Sequence, residues 1–214
     1  VMDISASNEN VAYFYINSSS PTSQYLWKYT YVSGDGSGAG GTWVDLSSNL
    51  PTSGKRTNSY RPQNDTQGGY NMVLVVKPDN ENHVVLGATN LFFSSDGFSS
   101  SSWNDIGGYV SLSTAGEYVN HHADQQSAVF LPSDPKVMIS GHDGGLSRTE
   151  DVTAAQVNWV DKDLGYVTGQ FYHVSIDASG TEPDMIVGGM QDNSTWKVNS
   201  TNANDCLLYT SPSP

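Results

Sequence analysis

The feature of this sequence that most constrains its fold is a recurring unit of short apolar runs that meet glycine. Such runs begin at His83, Lys136 and Asp184 and read HVVLGATNLFFSSDG, KVMISGHDGGLSRTED and DMIVGGMQDNSTW. Each one follows another strand-like run that closes in a Pro, Asp or Asn turn. The unit reads strand, polar turn, strand, glycine kink, strand, and it recurs roughly every 45–55 residues, which is typical of β-propeller blades.

Four such units can be placed along the chain. We predict blades at approximately residues 3–50, 71–107, 121–165 and 171–205, with a long polar connection over residues 51–70. The predicted fold is therefore an all-β propeller with about four blades present, and we expect it to be part of a propeller of about seven or eight blades or more.

The last residues do not follow this pattern. Residues 206–214, CLLYTSPSP, look like translated sequencing-adapter read-through, so we predict a non-native tail there and leave it out of the blade assignment. The native sequence would then break off near Asp205.

Composition excludes several classes of protein. Hydrophobic residues make up 36% and charged residues 14%, with 21 Gly and 12 Tyr, which favours strands and turns over helices. No run approaches the roughly 20 apolar residues that a membrane helix needs. A net charge of −13 opposes binding to nucleic-acid phosphates. Cys206 is the one cysteine, so an intrachain disulfide is excluded.

Three units carry a variant of one hairpin motif: SGDGSGAGGTW, SSDGFSSSSW and TEDVTAAQVNW. It resembles the Asp box, Ser-x-Asp-x-Gly-x-Thr-Trp, of BNR repeats. Asp and Ser side chains bind turn amides, glycine adopts a positive φ, and tryptophan packs between blades. We therefore predict structural rather than catalytic roles for Ser33, Asp35, Trp43, Ser94, Asp96, Trp103, Thr149, Asp151 and Trp159.

Two longer segments extend the resemblance. HHADQQSAVFLPSDPKVMISGHDGGLSRTED (residues 121–151) and GQFYHVSIDASGTEPDMIVGGMQDNSTW (residues 169–196) are similar to bacterial exported BNR proteins related to family 74 glycoside hydrolases. They are more distantly similar to the ten-bladed sortilin domain. The similarity covers residues 71–205 better than residues 1–70, and Ser194 replaces a glycine of the pattern. It implies an extracellular or cell-surface protein, although this sequence begins with no signal peptide.

Polar residues next to the predicted strands are candidate ligand-binding groups. In a blade, the innermost strand lines the central channel and the polar turn after it opens at one face. The predicted ligand-binding residues are His121, His122, Gln125, Gln191, Asn193 and Trp196. The alternative roles are polar lining of the channel and hydrogen bonding within tight turns.

Exposed aromatic residues could stack on sugar faces, although we favour packing between blades as the role of most of them. The candidates are Tyr118, Tyr166, Phe171, Tyr172 and Trp196. The remaining histidines, His83, His142 and His173, lie in separate units, and no third ligand stands at metal-site spacing, so we predict no metal and no other cofactor.

Three carboxylates are candidate catalytic residues: Asp124, Asp143 and Asp192. Glycosidases need two carboxyl groups, about 5–5.5 Å apart for retention of configuration or about 6.5–9.5 Å for inversion. The simpler role is hydrogen bonding in a turn. The resemblance to family 74 implies catalytic aspartates in two different propeller domains, so this chain alone is expected to be inactive.

Three hypotheses of function follow. The first is recognition of polysaccharide or glycoprotein outside the cell. The second is a family 74-like hydrolase that cleaves β-glucans such as xyloglucan with paired aspartates. The third is a sortilin-like protein-binding scaffold without glycan affinity. In each case the expected partners include the remaining blades of the parent chain, whose absence would leave exposed apolar surface.

Overall fold

A computed structural model of the protein describes residues 1–18, 24–51, 64–109, 118–165, 171–181, 185–190, 195–198 and 207–209. Within these residues the chain forms four sheets, each of four antiparallel strands that follow one another in chain order. The all-β prediction is confirmed. In the described part of the chain, no helix is long and apolar enough to span a membrane.

The first sheet contains β1 (Met2–Ile4), β2 (Val11–Asn17), β3 (Gln24–Tyr31) and β4 (Gly41–Asp45). The second contains β5 (Val73–Val76), β6 (Val84–Gly87), β7 (Leu91–Ser94) and β8 (Trp103–Gly107). The third contains β9 (Gln125–Leu131), β10 (Asp134–His142), β11 (Gly145–Thr149) and β12 (Val160–Asp161). The fourth contains β13 (Phe171–Ile176), β14 (Ile186–Met190), β15 (Thr195–Val198) and β16 (Leu207–Tyr209). Short 3-10 turns lie at Gly38–Gly40, Ser47–Asn49 and Gln67–Gly69.

The chain divides into two compact units. Val1–Leu164 holds the first three sheets, and Gly165–Pro214 holds the fourth. In the second unit, β16 pairs with β15, with Thr195 opposite Tyr209. Residues 207–209 thus belong to a sheet, although we left residues 206–214 out of the blade assignment. The rest of that segment lies outside the described residues.

The second sheet is apolar on both faces because apolar residues are continuous along β5, β6 and most of β7. In β7, the side chain of Phe92 joins one buried cluster, while Leu91 and Phe93 join another. The same alternation separates Val85 from its neighbours Val84 and Leu86 in β6. Since successive side chains of a strand point to opposite faces, a wholly apolar strand must be covered on both sides.

The first and third sheets provide that cover. One cluster joins Tyr13, Tyr15 and Leu26 of the first sheet to the second sheet. The other joins Met138 and Trp159, from the third sheet and the segment before β12, to the opposite face of the second sheet. The core of the first unit is therefore two apolar layers, one on each face of the second sheet.

The first strands of these three sheets lie next to one another. β5 contacts both β1 and β9. A hydrogen bond ties two of them together, because the backbone N–H of Val76 donates to Asp3 Oδ2 at 2.7 Å. Burial raises the pKa of the Asp3 carboxyl, and the amide hydrogen bonds oppose that shift. The sheets consequently meet along their first strands, which brings the loops at the ends of these strands together.

A matched pair of valines tests which faces are packed. Val84 is fully buried, whereas Val129 is 55% exposed and alternates in β9 with Ala128, which packs toward the second sheet. We expect Val84→Ala to lower the free energy of unfolding by about 2–3 kcal/mol, since it removes apolar contacts and leaves a cavity. Val129→Ala should change it by less than about 0.5 kcal/mol. Chemical denaturation measures both, and equal losses would contradict the described packing.

Candidate functional site

The candidate site lies where the second and third sheets meet, at the end where β5 and β9 begin. Asp124 precedes β9 and has a positive φ of 62°. Its backbone N–H donates to the Thr89 carbonyl in the β6–β7 turn at 2.8 Å. Its own carbonyl accepts from the backbone N–H of Asp143 in the β10–β11 turn at 3.1 Å. Turns of both sheets therefore fix the position of Asp124.

The Asp124 carboxylate is held by amides from the segment that precedes β5. Asp124 Oδ1 accepts from Gln67 Nε2 at 2.5 Å and from Asn71 Nδ2 at 2.6 Å. Asn71 is fully buried. Burial raises the pKa of the Asp124 carboxyl, the nearby Asp143 charge raises it further, and the two amides partly counteract them.

A second set of contacts continues from Asn71 to the surface. Gln126 Nε2 lies 3.2 Å from Asn71 Oδ1 and donates to Asp143 Oδ1 at 2.8 Å. The Tyr70 hydroxyl donates to the same Asp143 oxygen at 3.4 Å. We call this connected set the polar array; it consists of Gln67, Tyr70, Asn71, Asp124, Gln126 and Asp143.

The polar array has a buried base and an exposed rim. Asn71 is buried and Asp124 is intermediate in exposure, whereas Gln126 and Asp143 are exposed. Tyr70 is 61% exposed. A rim of an amide, a carboxylate and a phenol ring can offer hydrogen-bond donors, hydrogen-bond acceptors and an aromatic face to a ligand.

A histidine pair lies between the second and third sheets, beside the polar array. The rings of His121 and His142 have centroids 4.6 Å apart, and His121 lies 4.2 Å from the Trp159 ring. Burial and the charge of His142 lower the pKa of His121 to about 3. Burial and the charge of His122 lower the pKa of His142 to about 4. Both rings are therefore neutral at pH 7.

Two of the predicted ligand-binding residues are buried in this structure. His121 is 3% exposed, and its Nδ1 accepts from the Gly108 N–H at 3.1 Å. Gln125 is fully buried, and its amide group bonds the His122 carbonyl and the Ser140 hydroxyl. A ligand contact by either side chain would require this interface to open. His122 is partly exposed, with Nδ1 2.9 Å from the Ala123 carbonyl oxygen.

Other predicted residues lie elsewhere. Gln191, Asp192 and Asn193 stand between β14 and β15 in the chain and lie outside the described residues, as does Tyr166. Trp196 lies in β15 opposite Gly188 and is intermediate in exposure.

The remaining aromatic candidates differ in exposure. The Tyr118 hydroxyl donates to the Asp105 carbonyl at 2.6 Å. Burial, with the Asp105 charge, raises the pKa of Tyr118 to about 12. Phe171 and Tyr172 are exposed in β13. Tyr118 is thus engaged within the fold, while the other two present ring surface to solvent.

The three hairpin aspartates bind their own turns. Asp35 accepts from the Ser37 N–H and hydroxyl, and Asp151 accepts from the Thr153 N–H and hydroxyl. Asp96 accepts from the hydroxyl and N–H of Ser100. These bonds lower the pKa of all three carboxyls, at Asp96 against the opposing effect of burial. This is the local geometry that a turn-stabilising role requires.

The polar array contains four residues that sequence reasoning did not select: Gln67, Tyr70, Asn71 and Gln126. The first three belong to or adjoin the polar connection that we interpreted as a linker between units. The sequence contained one signal for this turn, the glycine pair Gly68–Gly69. Both glycines adopt a positive φ and turn the chain between Gln67 and Tyr70. Among the described residues, no group of three His, Cys, Asp or Glu side chains is placed to hold a metal ion.

The histidine pair predicts a pH dependence of stability. In the unfolded chain both histidines titrate near pH 6.5, whereas in the folded chain they stay neutral to about pH 4 or below. The unfolded state therefore binds more protons between these values, and stability falls as the pH falls. Asp124 has the opposite sign, because its pKa is raised and the folded state therefore keeps this proton to higher pH than the unfolded state does.

We expect the free energy of unfolding to drop by about 2 kcal/mol or more from pH 7 to pH 5, measured by urea denaturation. His142→Asn should reduce this pH dependence relative to the unsubstituted chain, whereas His173→Asn, on exposed β13, should leave it unchanged. An unchanged slope in the His142 variant would contradict the assignment.

No family model matches this sequence, and no curated protein matches it. Among solved structures, a GH74 enzyme from Niastella koreensis is similar to this chain, with 12% sequence identity and a TM-score of 0.47. The match covers 98% of this chain and 35% of the enzyme, so the chain spans well under half of that enzyme's length.

Proposed function

We propose that this protein recognises polysaccharide or glycoprotein through the polar array, as part of an extracellular or cell-surface β-propeller. The single observation that carries the proposal is the exposed rim of Tyr70, Gln126 and Asp143 above a buried, hydrogen-bonded base. The chemistry of these three groups matches the chemistry of a sugar, which presents several hydroxyls and an apolar ring face.

Each rim group has a defined task in this proposal. The Asp143 carboxylate accepts hydrogen bonds from sugar hydroxyls, and the Gln126 amide both donates and accepts. The Tyr70 ring supplies a flat apolar surface for the sugar face. Because Asn71 and Asp124 hold these groups from below, little conformational entropy is lost when a ligand binds.

The propeller arrangement is supported by the sheet order. Each sheet follows chain order, and the first strands of the three sheets in Val1–Leu164 lie side by side, as inner strands around an axis would. In that arrangement the polar array stands at one face, near the axis. An external location accords with such a ligand and with the acidic charge of −13.

The test is binding to a panel of soluble polysaccharides and glycoproteins by affinity electrophoresis and calorimetry. We expect Tyr70→Ala and Gln126→Ala to weaken the best ligand about tenfold, or about 1.4 kcal/mol. Asp143→Asn should weaken it as well, while Asp151→Asn, the same change in a hairpin turn, should have no effect. Absence of binding across the panel, or binding that none of the three rim changes affects, would refute the proposal.

A hydrolase that cleaves β-glucans such as xyloglucan is a second candidate, because one observation favours it. The pKa of Asp124 is raised by burial and by the charge of Asp143. A glycosidase needs a general acid with a raised pKa and a second carboxyl beside it. In this hypothesis Asp124 donates the proton to the leaving oxygen, and the neighbouring Asp143 carboxyl is the second group of the pair.

Release of reducing ends from xyloglucan and other β-glucans distinguishes the two candidates. The assay uses the full protein, because this chain alone is expected to be inactive. The hydrolase hypothesis requires turnover that Asp124→Asn abolishes while binding persists, with Asp35→Asn as the matched control. The recognition proposal predicts that the full protein binds glycan without releasing reducing ends.

A further inference from the structure

A cleft lies between the first and second sheets, on the core-facing side of the first sheet. Its volume is about 440 Å³, within the roughly 300–1,000 Å³ that small-molecule sites occupy. The first sheet and the segment after it contribute Tyr13, Lys28 and Leu46, and two turns of the second sheet contribute Asn82, Asp96 and Gly97. We call this space the hairpin cleft, because the β7–β8 hairpin turn forms one of its walls.

The hairpin cleft and the polar array lie at opposite ends of the second sheet. Thr89, whose carbonyl holds Asp124 in the polar array, lies in the turn before β7. Asp96 and Gly97 lie in the turn after β7, and Asn82 lies in the β5–β6 turn at that same end. The two sites are therefore separate, and an inference about the hairpin cleft does not depend on the proposed function.

Lys28 places a positive charge in the hairpin cleft. It pairs with Tyr13 in the first sheet, so the two side chains lie on the same face. Lys28 Nζ donates to Asn82 Oδ1 at 3.2 Å and lies 5.4 Å from the centre of the Tyr13 ring. An ammonium group has three N–H donors, and Asn82 uses one of them. Within the described residues, no carboxylate lies at ion-pairing distance from Lys28 Nζ.

The Tyr13 hydroxyl adds a second donor. Tyr13 is fully buried, and its hydroxyl has no hydrogen-bond partner among the described residues. Gly97 leaves room for this hydroxyl, because a Cβ at that position would collide with the hydroxyl oxygen. Burial raises the pKa of Tyr13, and the charges of Glu81 and Asp96 raise it further, so the hydroxyl keeps its proton. A buried donor without an acceptor is costly, which indicates that a ligand supplies the acceptor.

The charges around the hairpin cleft favour one kind of acceptor. The Lys28 ammonium and the Tyr13 hydroxyl both donate, and a carboxylate can accept from both. Asp96 and Glu81 lie close enough to raise the pKa of Tyr13, and their negative charges oppose a ligand with two or more negative charges, such as phosphate. The cleft is therefore suited to a single carboxylate.

The remaining lining indicates what the rest of the ligand carries. Ser95 and Ser99 also line the cleft and are exposed, and their hydroxyls can both donate and accept hydrogen bonds. Leu46 is 5% exposed and contributes apolar surface. These groups suit a small ligand whose body carries neutral hydroxyls.

We propose that the hairpin cleft binds a small hydroxycarboxylate, a molecule with one carboxylate and several hydroxyls. The carboxylate accepts hydrogen bonds from Lys28 Nζ and from the Tyr13 hydroxyl. The hydroxyls of the ligand face Ser95 and Ser99.

The test is isothermal titration calorimetry of the protein with D-gluconate, which carries one carboxylate and several hydroxyls. The comparison ligands are D-glucitol, in which a neutral CH2OH group replaces the carboxylate, acetate and inorganic phosphate. We expect gluconate to bind at least about tenfold more tightly than each of them. Because salt screens the contact between an ammonium and a carboxylate, the affinity for gluconate should fall as sodium chloride is added.

Tyr13→Phe tests the hydroxyl alone. It should weaken gluconate binding about tenfold, because a hydrogen bond to a charged group is lost. The melting temperature should not fall, because this hydroxyl has no partner among the described residues. Tyr15→Phe is the matched control and should leave gluconate binding unchanged. Tyr15 is equally buried on the same strand and its hydroxyl also has no described partner, but it does not line the cleft.

Lys28→Met tests the charge, since methionine keeps an apolar stem without the ammonium group. It should weaken gluconate binding at least about tenfold and remove most of the salt dependence. Lys136→Met makes the same change in β10 of the third sheet and should have no effect on binding.

Several results would overturn the proposal. They are equal binding of gluconate and D-glucitol, tighter binding of acetate or phosphate, and no binding of gluconate at millimolar concentrations. Gluconate binding that neither Tyr13→Phe nor Lys28→Met weakens would overturn it as well. Gluconate binding that Tyr70→Ala abolishes would assign the ligand to the polar array instead.

Discussion

The structure of the first unit depends on the two-sided packing of the second sheet. Its strands β5–β7 are apolar at successive positions, so Phe92 faces one neighbouring sheet while Leu91 and Phe93 face the other. Burial of apolar surface at about 25 cal/mol per Å² is the main favourable term available to such a stack. Because both apolar layers form on the second sheet, that sheet sets the relative positions of the first and third sheets.

The polar array is a consequence of that packing. Gln67 and Asn71 precede β5, whereas Asp124 precedes β9, and the contact between these two first strands brings their ends together. The buried part of the polar array, where amides hold the Asp124 carboxylate, then fixes the exposed groups at the rim. The histidine pair lies in the same interface, so the stability of the site and its pH dependence have a common origin.

The sequence could predict the features that depend on residues close together in the chain. Apolar runs and glycine spacing predict the all-β architecture, and the hairpin aspartates stand beside the serine and threonine residues that they bind. The site required contacts between residues far apart in the chain, such as Tyr70 with Asp143, and these have no local signal. For the same reason His121 and Gln125, chosen as ligand contacts, were not expected to be buried. Gln191, Asp192 and Asn193 remain predictions.

We propose that a carbohydrate binds at the rim of the polar array. The most direct measurement is a crystal structure of the protein with a bound oligosaccharide taken from its best polysaccharide ligand. We expect sugar hydroxyls within hydrogen-bond distance of Asp143 and Gln126 and a sugar ring against Tyr70. A sugar bound on another surface, with the polar array unchanged and solvated, would contradict it.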